Sequence, residues 1–272
     1  MSAADDRRTL TDRAYLTGVQ YRDDTNLAAR QSVYAYQQPR IDLVQAVLDL
    51  AGLAGHETVA DIGCGNGKYL AGLASRGHAG RLLGADLSPG MLAISRAAAA
   101  GAAVTAADAA ALPLASGVID VTLAPHMLYH VPDRMAAVRE FRRITRPGGQ
   151  VLVVLNGPDH TAELAELVSA TAAELGLPNP GFRAEYQTYL SMTLDTGAEL
   201  LSQVFGSVRR HDFPGRLVLP SAAPVAAYVG SMRATQAMPD PAAFTAAVAD
   251  RVAFGPDGTF RITTHSGVLI CS

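Results

Sequence analysis

Residues 59–70, VADIGCGNGKYL, set a short apolar run against an acid, three glycines at alternate positions, and then residues suited to open a helix. That order fits a strand, a tight turn and a helix. Glycine supplies the left-handed backbone that such turns need, and it lets a ligand or a second backbone come close. Several nucleotide-binding families use turns of this kind, so Gly63, Gly65 and Gly67 narrow the fold and the ligand together.

The neighbouring sequence extends the pattern. Short apolar runs at 57–62, 81–86, 102–107, 118–124 and 149–155 read as strands. Helical stretches at 66–76, 88–100, 133–146 and 160–176 alternate with them. Such alternation means βαβ units and a parallel sheet. RPGGQ at 146–150 is a stop-and-turn signal before a strand. Upstream, 25–36 suits a helix begun by Thr25 or Asn26, and 40–52 carries Ile41, Val44, Val47 and Leu48 at helical spacing. Residues 1–20 are polar and are expected to be irregular and mobile. Beyond 176 the pattern loosens: 182–206 and 221–252 look helical, and 208–219 includes a strand. Phe260, Ile262 and Thr264, followed by Val268 and Ile270, suit a last strand that inserts antiparallel.

With 272 residues, 49% of them hydrophobic, the chain is long enough for one large α/β domain with a modest insertion. A net charge of −3 is not the basic footprint of a nucleic-acid binder, and no nucleic-acid partner is expected. Two cysteines, Cys64 and Cys271, build neither a disulfide framework nor a zinc cluster, and no metal site is expected. The first residues lack a signal peptide's apolar stretch, and no run of about 18 apolar residues occurs. The expectation is a cytoplasmic protein without a membrane partner. Lys68 is the only lysine, which reads as the codon bias of a GC-rich bacterial genome.

Three readings compete for the glycine turn. A Walker A loop needs a hydroxyl after its lysine and an earlier glycine; here Tyr69 and Ile62 occupy those positions. A dinucleotide fingerprint is met at Gly63 and Gly65 but not at Lys68, where its third glycine belongs. Asp61 would also crowd a pyrophosphate, whereas it suits a ligand with positive charge. The third reading is the D-x-G-x-G-x-G turn of the class I S-adenosylmethionine methyltransferases, which DIGCGNG resembles. The resemblance continues through LLGADLS (82–88), AADAAALPL (106–114), GVIDVTLAPHMLYHVPD (117–133) and RPGGQVLV (146–153), and covers about 57–156.

That resemblance implies a Rossmann-like, mostly parallel sheet of seven strands in the order 3-2-1-4-5-7-6, the last antiparallel, with helices on both faces. It implies S-adenosylmethionine as cofactor and methyl transfer; because APHM (124–127) replaces the N-P-P-Y or D-P-P-Y loop of base-directed enzymes and no cysteine trio for arsenic occurs, a small-molecule acceptor on O, N or C is left, with secondary metabolism as the setting. Asp86 would accept from the ribose hydroxyls and Asp108 would bind the adenine amino group. Asp61, Gly63, Gly65, Leu87, Ala109 and Ala124 would complete the cofactor wall. Residues 1–52 would be lid helices, with Tyr21 or Arg30 reaching the methionyl carboxylate. Residues 53–272 would form the methyltransferase domain, with acceptor-side insertions at about 180–206 and 221–252. The oligomeric state stays open.

His126 and His130 fall just beyond the fourth strand, where the family brings the methyl group to its acceptor. At i, i+4 they would share a face if the loop were helical, and one could act as general base. The plainer reading of His130 is a packed ring bonded to backbone. Phe182, Tyr186, Tyr189, Leu190 and Met192 could form one acceptor wall, and Met232 and Met238 another. Arg183, Arg209, Arg216 and Arg233 raise an acidic acceptor, although surface arginines explain them equally. A non-catalytic protein that binds the cofactor is the alternative, since an intact cofactor site beside a lost acceptor pocket reads the same.

Overall fold

The computed structural model describes residues 11–177, 186 and 189–272. Its centre is one sheet of eight strands: β1 (Gln37–Gln38), β2 (Val59–Ile62), β3 (Leu82–Asp86), β4 (Ala103–Ala106), β5 (Ile119–Pro125), β6 (Thr145–Asn156), β7 (Val208–Leu219) and β8 (Phe260–Cys271). Across the sheet they run β1-β7-β8-β6-β5-β2-β3-β4. β2 through β6 pair in parallel, and β8 is antiparallel to both β6 and β7. The seven expected strands therefore occur in the expected order. The addition is β1, which pairs antiparallel with β7 through Gln37–Leu217 and Gln38–Arg216. It covers part of an otherwise open edge. Two glutamines carry no apolar alternation, so nothing in the sequence marked them as a strand.

Helices α1 (Thr25–Ser32), α2 (Leu43–Ala51), α3 (Lys68–Ser75), α4 (Pro89–Ala98), α5 (Arg134–Ile144), α6 (Ala162–Glu174), α7 (Leu194–Leu201), α8 (Ala223–Gly230) and α9 (Pro241–Asp250) surround it. Asp42, Ser88, Asp133 and Asp240 start four of them, each side-chain oxygen accepting the backbone N–H three residues on. Among these described helices none is long and apolar enough to cross a membrane.

Three departures from the expected boundaries have local causes. Residues 11–20 are not irregular: Arg13–Tyr15 and the wide turn Leu16–Gln20 are helical, and burial of Leu16 and Gln20 holds them. The RPGGQ segment bulges within β6, since Ile119 pairs with Thr145 and Val121 with Gln150. The 221–252 stretch is broken, with Arg233–Gln236 as a short turn between α8 and α9, and Pro241 opens α9. Part of the 182–206 stretch lies outside the described residues.

Alternation along the strands divides the core. Ala60, Ile62, Val151, Val153 and Leu155 face α5 and α7, where Phe141 is fully buried. Val59, Val121, Leu123, Leu152 and Val154 face α2 and α3. Truncating a ring such as Phe141 costs roughly 3–5 kcal/mol. A third cluster, with Val33, Leu164, Val168, Leu217, Val229, Phe244 and Ile262, joins α6, α8 and α9 to the β7–β8 edge. It carries the N-terminal segment across the carboxyl ends of the parallel strands, where such sheets bind ligands.

Candidate active site

The glycine turn leaves β2 at Ile62 and enters α3 at Lys68. Gly63, Gly65 and Gly67 all have left-handed backbone, with φ of 73°, 52° and 79°. Their reasons differ. A Cβ on Gly63 would lie 2.6 Å from the Cβ of Met127, and one on Gly67 would lie 2.6 Å from Ser95 Oγ. Gly67 thus serves the packing of α3 on α4. A Cβ on Gly65 would meet no atom closer than 3.5 Å, and Gly63, Cys64 and Gly65 line a cavity of about 1020 Å³. Ligand pockets commonly span about 300–1,000 Å³, so this cavity stands at the upper end of that range.

Asp86 ends β3 on the cavity wall. Its Oδ2 accepts from Gly65 N–H at 2.8 Å and its Oδ1 from Ser88 N–H at 2.8 Å. The carboxyl keeps acceptor capacity for a ligand beside these bonds. Burial raises the carboxyl above the usual range, against the pull of these backbone bonds. Leu87, Asp108 and Ala109 also line the cavity, and Asp108 Oδ1 accepts from Ala110 N–H at 2.9 Å.

Two expected residues stand elsewhere. Ala124 is fully buried in the core beside α5; strand alternation turns it away, and the next residue, Pro125, reaches the wall. Asp61 is also fully buried and is not on the wall, and neither of its oxygens has a hydrogen-bond partner among the described residues. Burial, reinforced by Asp86, pushes it up to about 8. It therefore neither touches the cavity nor braces the loop amides. It lies behind Cys64 and Tyr69, which are both on the wall, and burial favours its neutral form.

His126 is on the wall in a left-handed conformation, φ 51°, at the end of β5, where its N–H donates to the Val154 carbonyl at 2.9 Å. Its ring makes no hydrogen bond among the described residues, and burial lowers it to about 4, so it is neutral near pH 7. A left-handed non-glycine residue is uncommon and costs about 1–2 kcal/mol, a strain often found at functional positions. His130 lies on a short 3-10 turn, Leu128–His130, with Nε2 2.9 Å from the Tyr21 hydroxyl and its ring edge-on to Tyr21 and Tyr129. The helical face expected to hold both histidines is absent, because the backbone at His126 breaks it; both still reach the cavity.

The N-terminal segment forms the opposite wall. Ser88 Oγ donates to the Tyr21 carbonyl at 2.6 Å, and Tyr21, Arg30 and Tyr34 line the cavity. Arg30 donates to the Ser231 carbonyl at 3.1 Å, lies 5.8 Å from the Tyr21 ring centre, and with the Gln20 amide turned to meet it bonds that oxygen at 2.7 and 3.0 Å. Tyr186, Tyr189 and Leu190 reach the wall as expected. Met192 belongs to the core, and Met232 and Met238 pack under α8 and α9. Arg209 and Arg216 are exposed on β7, and Arg233 lies over the Tyr15 ring at 5.2 Å, so none of the three lines the cavity and they lend no support to an acidic acceptor. Phe182 and Arg183 lie outside the described residues. Sequence reasoning missed Tyr34, Tyr129, Asn156, His160 and Tyr228, all on the wall.

Residues 60–153 match the model of a family described as a methyltransferase domain. Over that segment the chain is similar to the class I S-adenosylmethionine-dependent methyltransferases. It is 37% identical over 108 residues to an uncharacterized methyltransferase of Mycobacterium sp. (strain JLS), covering 40% of this chain and 41% of that one. It is 35% identical over 125 residues to a ubiquinone biosynthesis O-methyltransferase of Pseudomonas paraeruginosa, covering 44% and 53%. The chain thus spans about half the length of the curated relatives it matches. A solved N-methyltransferase of Haemonchus contortus, in complex with phosphomonomethylethanolamine and S-adenosylhomocysteine, superposes with TM-score 0.59 at 16% identity, over 96% of this chain and 59% of that one. That likeness concerns the fold. The residues of this segment fit the cofactor: Gly65 leaves open space, and the Asp86 carboxyl stands on the wall with acceptor capacity beyond its bonds to Gly65 and Ser88.

Proposed function

We propose that this protein methylates a small-molecule acceptor with S-adenosylmethionine, and that His126 takes the proton that a hydroxyl or amine acceptor must lose. The observation carrying this reading is the His126 ring: neutral, unbonded among the described residues, and held on the cavity wall at the end of β5 beside the glycine turn. When bound, the cofactor supplies an activated methyl group on a sulfonium. Asp86 holds its ribose, Asp108 its adenine amino group, and Gly63, Gly65, Leu87 and Ala109 shape the wall between them. Placement of carboxylates at the ends of the cofactor leaves the reacting sulfur without an anion, which would hold back a charge-quenching transfer.

Residues 11–52 act as a lid, in this reading, with Tyr21 on His130 as its contact above the reacting end. Arg30, spent on Gln20 and Ser231, holds the lid in shape and leaves the methionyl carboxylate to other groups. His130 is a positioning residue. The acceptor proposed is a small molecule rather than a nucleic acid, and a bacterial cytoplasmic pathway of secondary metabolism is the setting proposed. The test incubates purified protein with methyl-labelled S-adenosylmethionine and a metabolite extract of its host. Label in a small molecule supports the reading, and label in protein or RNA overturns it. Binding of S-adenosylhomocysteine with no labelled product favours the non-catalytic binder instead.

A further inference from the structure

Across the cavity from the glycine turn, the loop after β6 carries a second buried histidine. His160 is 8% exposed and is fixed on both sides: Gly157 N–H donates to the His265 carbonyl at 2.8 Å, and Thr161 N–H to the Thr263 carbonyl at 2.9 Å. Its Nδ1 accepts from the backbone N–H of His265 at 3.0 Å, and its Nε2 lies 3.0 Å from the Tyr34 hydroxyl. These two contacts determine the tautomer. A backbone N–H cannot reverse its role, so Nδ1 must present its lone pair, and the neutral ring carries its proton on Nε2. Burial, with His126 nearby, lowers the ring to about 3 and keeps it neutral.

The hydrogen bond from Nε2 then occupies an oxygen lone pair of Tyr34 and turns the hydroxyl proton away from His160. Tyr34 has no second hydrogen-bond partner among the described residues, and it lines the cavity. The result is a one-way chain of donors, from the His265 N–H through His160 to Tyr34, ending in the cavity; bonds in such a chain strengthen one another. The cation near Tyr34 is Arg30, already engaged by Gln20 and Ser231. The surroundings are aromatic, with Tyr129, Tyr189 and Tyr228 also on the wall.

Building on the methyltransferase reading, we propose that Tyr34, oriented by His160, is the donor that holds an uncharged oxygen of an aromatic acceptor. This end of the cavity selects carbonyl- or hydroxyl-bearing aromatics over ammonium-bearing ones. An ammonium group brings only donors and would leave the Tyr34 proton unpaired, and among the described residues the cation beside Tyr34 is Arg30, held by Gln20 and Ser231, which leaves a phosphate or carboxylate poorly matched there.

Two measurements test it. Nitrogen-labelled histidine NMR, with His160 assigned by its loss in His160→Gln, should show the Nε2-protonated tautomer, unchanged between pH 5 and 8; a proton on Nδ1 overturns the proposal. Fluorine NMR on protein saturated with S-adenosylhomocysteine then compares para-fluoroacetophenone with para-fluorobenzylamine. The ketone should bind about tenfold tighter than the amine, and Tyr34→Phe should weaken the ketone about tenfold while leaving S-adenosylhomocysteine affinity unchanged, as expected for one buried hydrogen bond. A wild-type protein that binds S-adenosylhomocysteine but not the ketone, or a Tyr34→Phe variant with unchanged ketone affinity, overturns this proposal alone. Failure of the wild type to bind S-adenosylhomocysteine at all overturns the cofactor reading and this inference with it.

Discussion

His126 and Asp61 show how the same burial gives two side chains opposite consequences. Burial disfavours the charged form of each, lowering the imidazole to about 4 and raising the carboxyl to about 8. If His126 is the base, its working form persists far into acid: turnover should stay flat from pH 6 to 9 and fall only as pH drops toward 4. His126→Asn, which tolerates the left-handed backbone, should lower turnover by about 10²–10⁴-fold with cofactor affinity retained. A rate limb centred near 6.5 that survives the substitution would remove His126 from the role. For Asp61, the unfolded chain ionises near 4 while the folded one resists until about 8. The fold therefore loses stability as pH rises through that window, by an order of a few kcal/mol, and regains it below. Asp61→Asn should raise the melting temperature by several degrees at pH 8 and hardly at all at pH 4. An equal shift at both values would show that the carboxyl ionises normally.

At the scale of elements, the β2–turn–α3 unit meets the loop after β5 at one point. Gly63 is left-handed, and an added Cβ would sit 2.6 Å from the Cβ of Met127. Gly63→Ala is expected to cost about 2 kcal/mol from backbone strain alone, plus displacement of the loop carrying His126 and His130. Because the clash is with Cβ, Met127→Ala should not restore stability to Gly63→Ala, whereas Met127→Gly should recover part of it. Thermal melts of the single and double variants read this directly, and full rescue by Met127→Ala would contradict the geometry.

In the whole molecule, the N-terminal segment bridges two bodies that are distant in sequence. It touches the start of α4 through the Tyr21 carbonyl at Ser88 and the loop after β6 through Tyr34 at His160, and Arg30 ties it to Ser231. If the segment acts as the proposed lid, it should tighten when the cavity fills. Amide exchange across 16–36 is expected to slow on adding S-adenosylhomocysteine, while the α5 core around Phe141 stays as protected as before. Equal exchange with and without the ligand would make the segment a fixed wall rather than a lid.

Local sequence determined the sheet and half of the site. The apolar alternation of β2 to β6, the glycines of the turn and the acid ending β3 are set by neighbours a few residues away, so their positions could be read along the chain. Asp86, Asp108, Tyr189 and both histidines consequently reach the cavity that the pattern anticipated. Ala124 and Asp61 do not, because which face of a strand meets the ligand depends on what packs against the other face. Tyr34 and His160 stand 126 positions apart and acquire meaning only when the backbone of β8 fixes a proton between them. Hydrogen-bond direction is a property of three-dimensional neighbours, and the order of residues along a chain does not encode it locally.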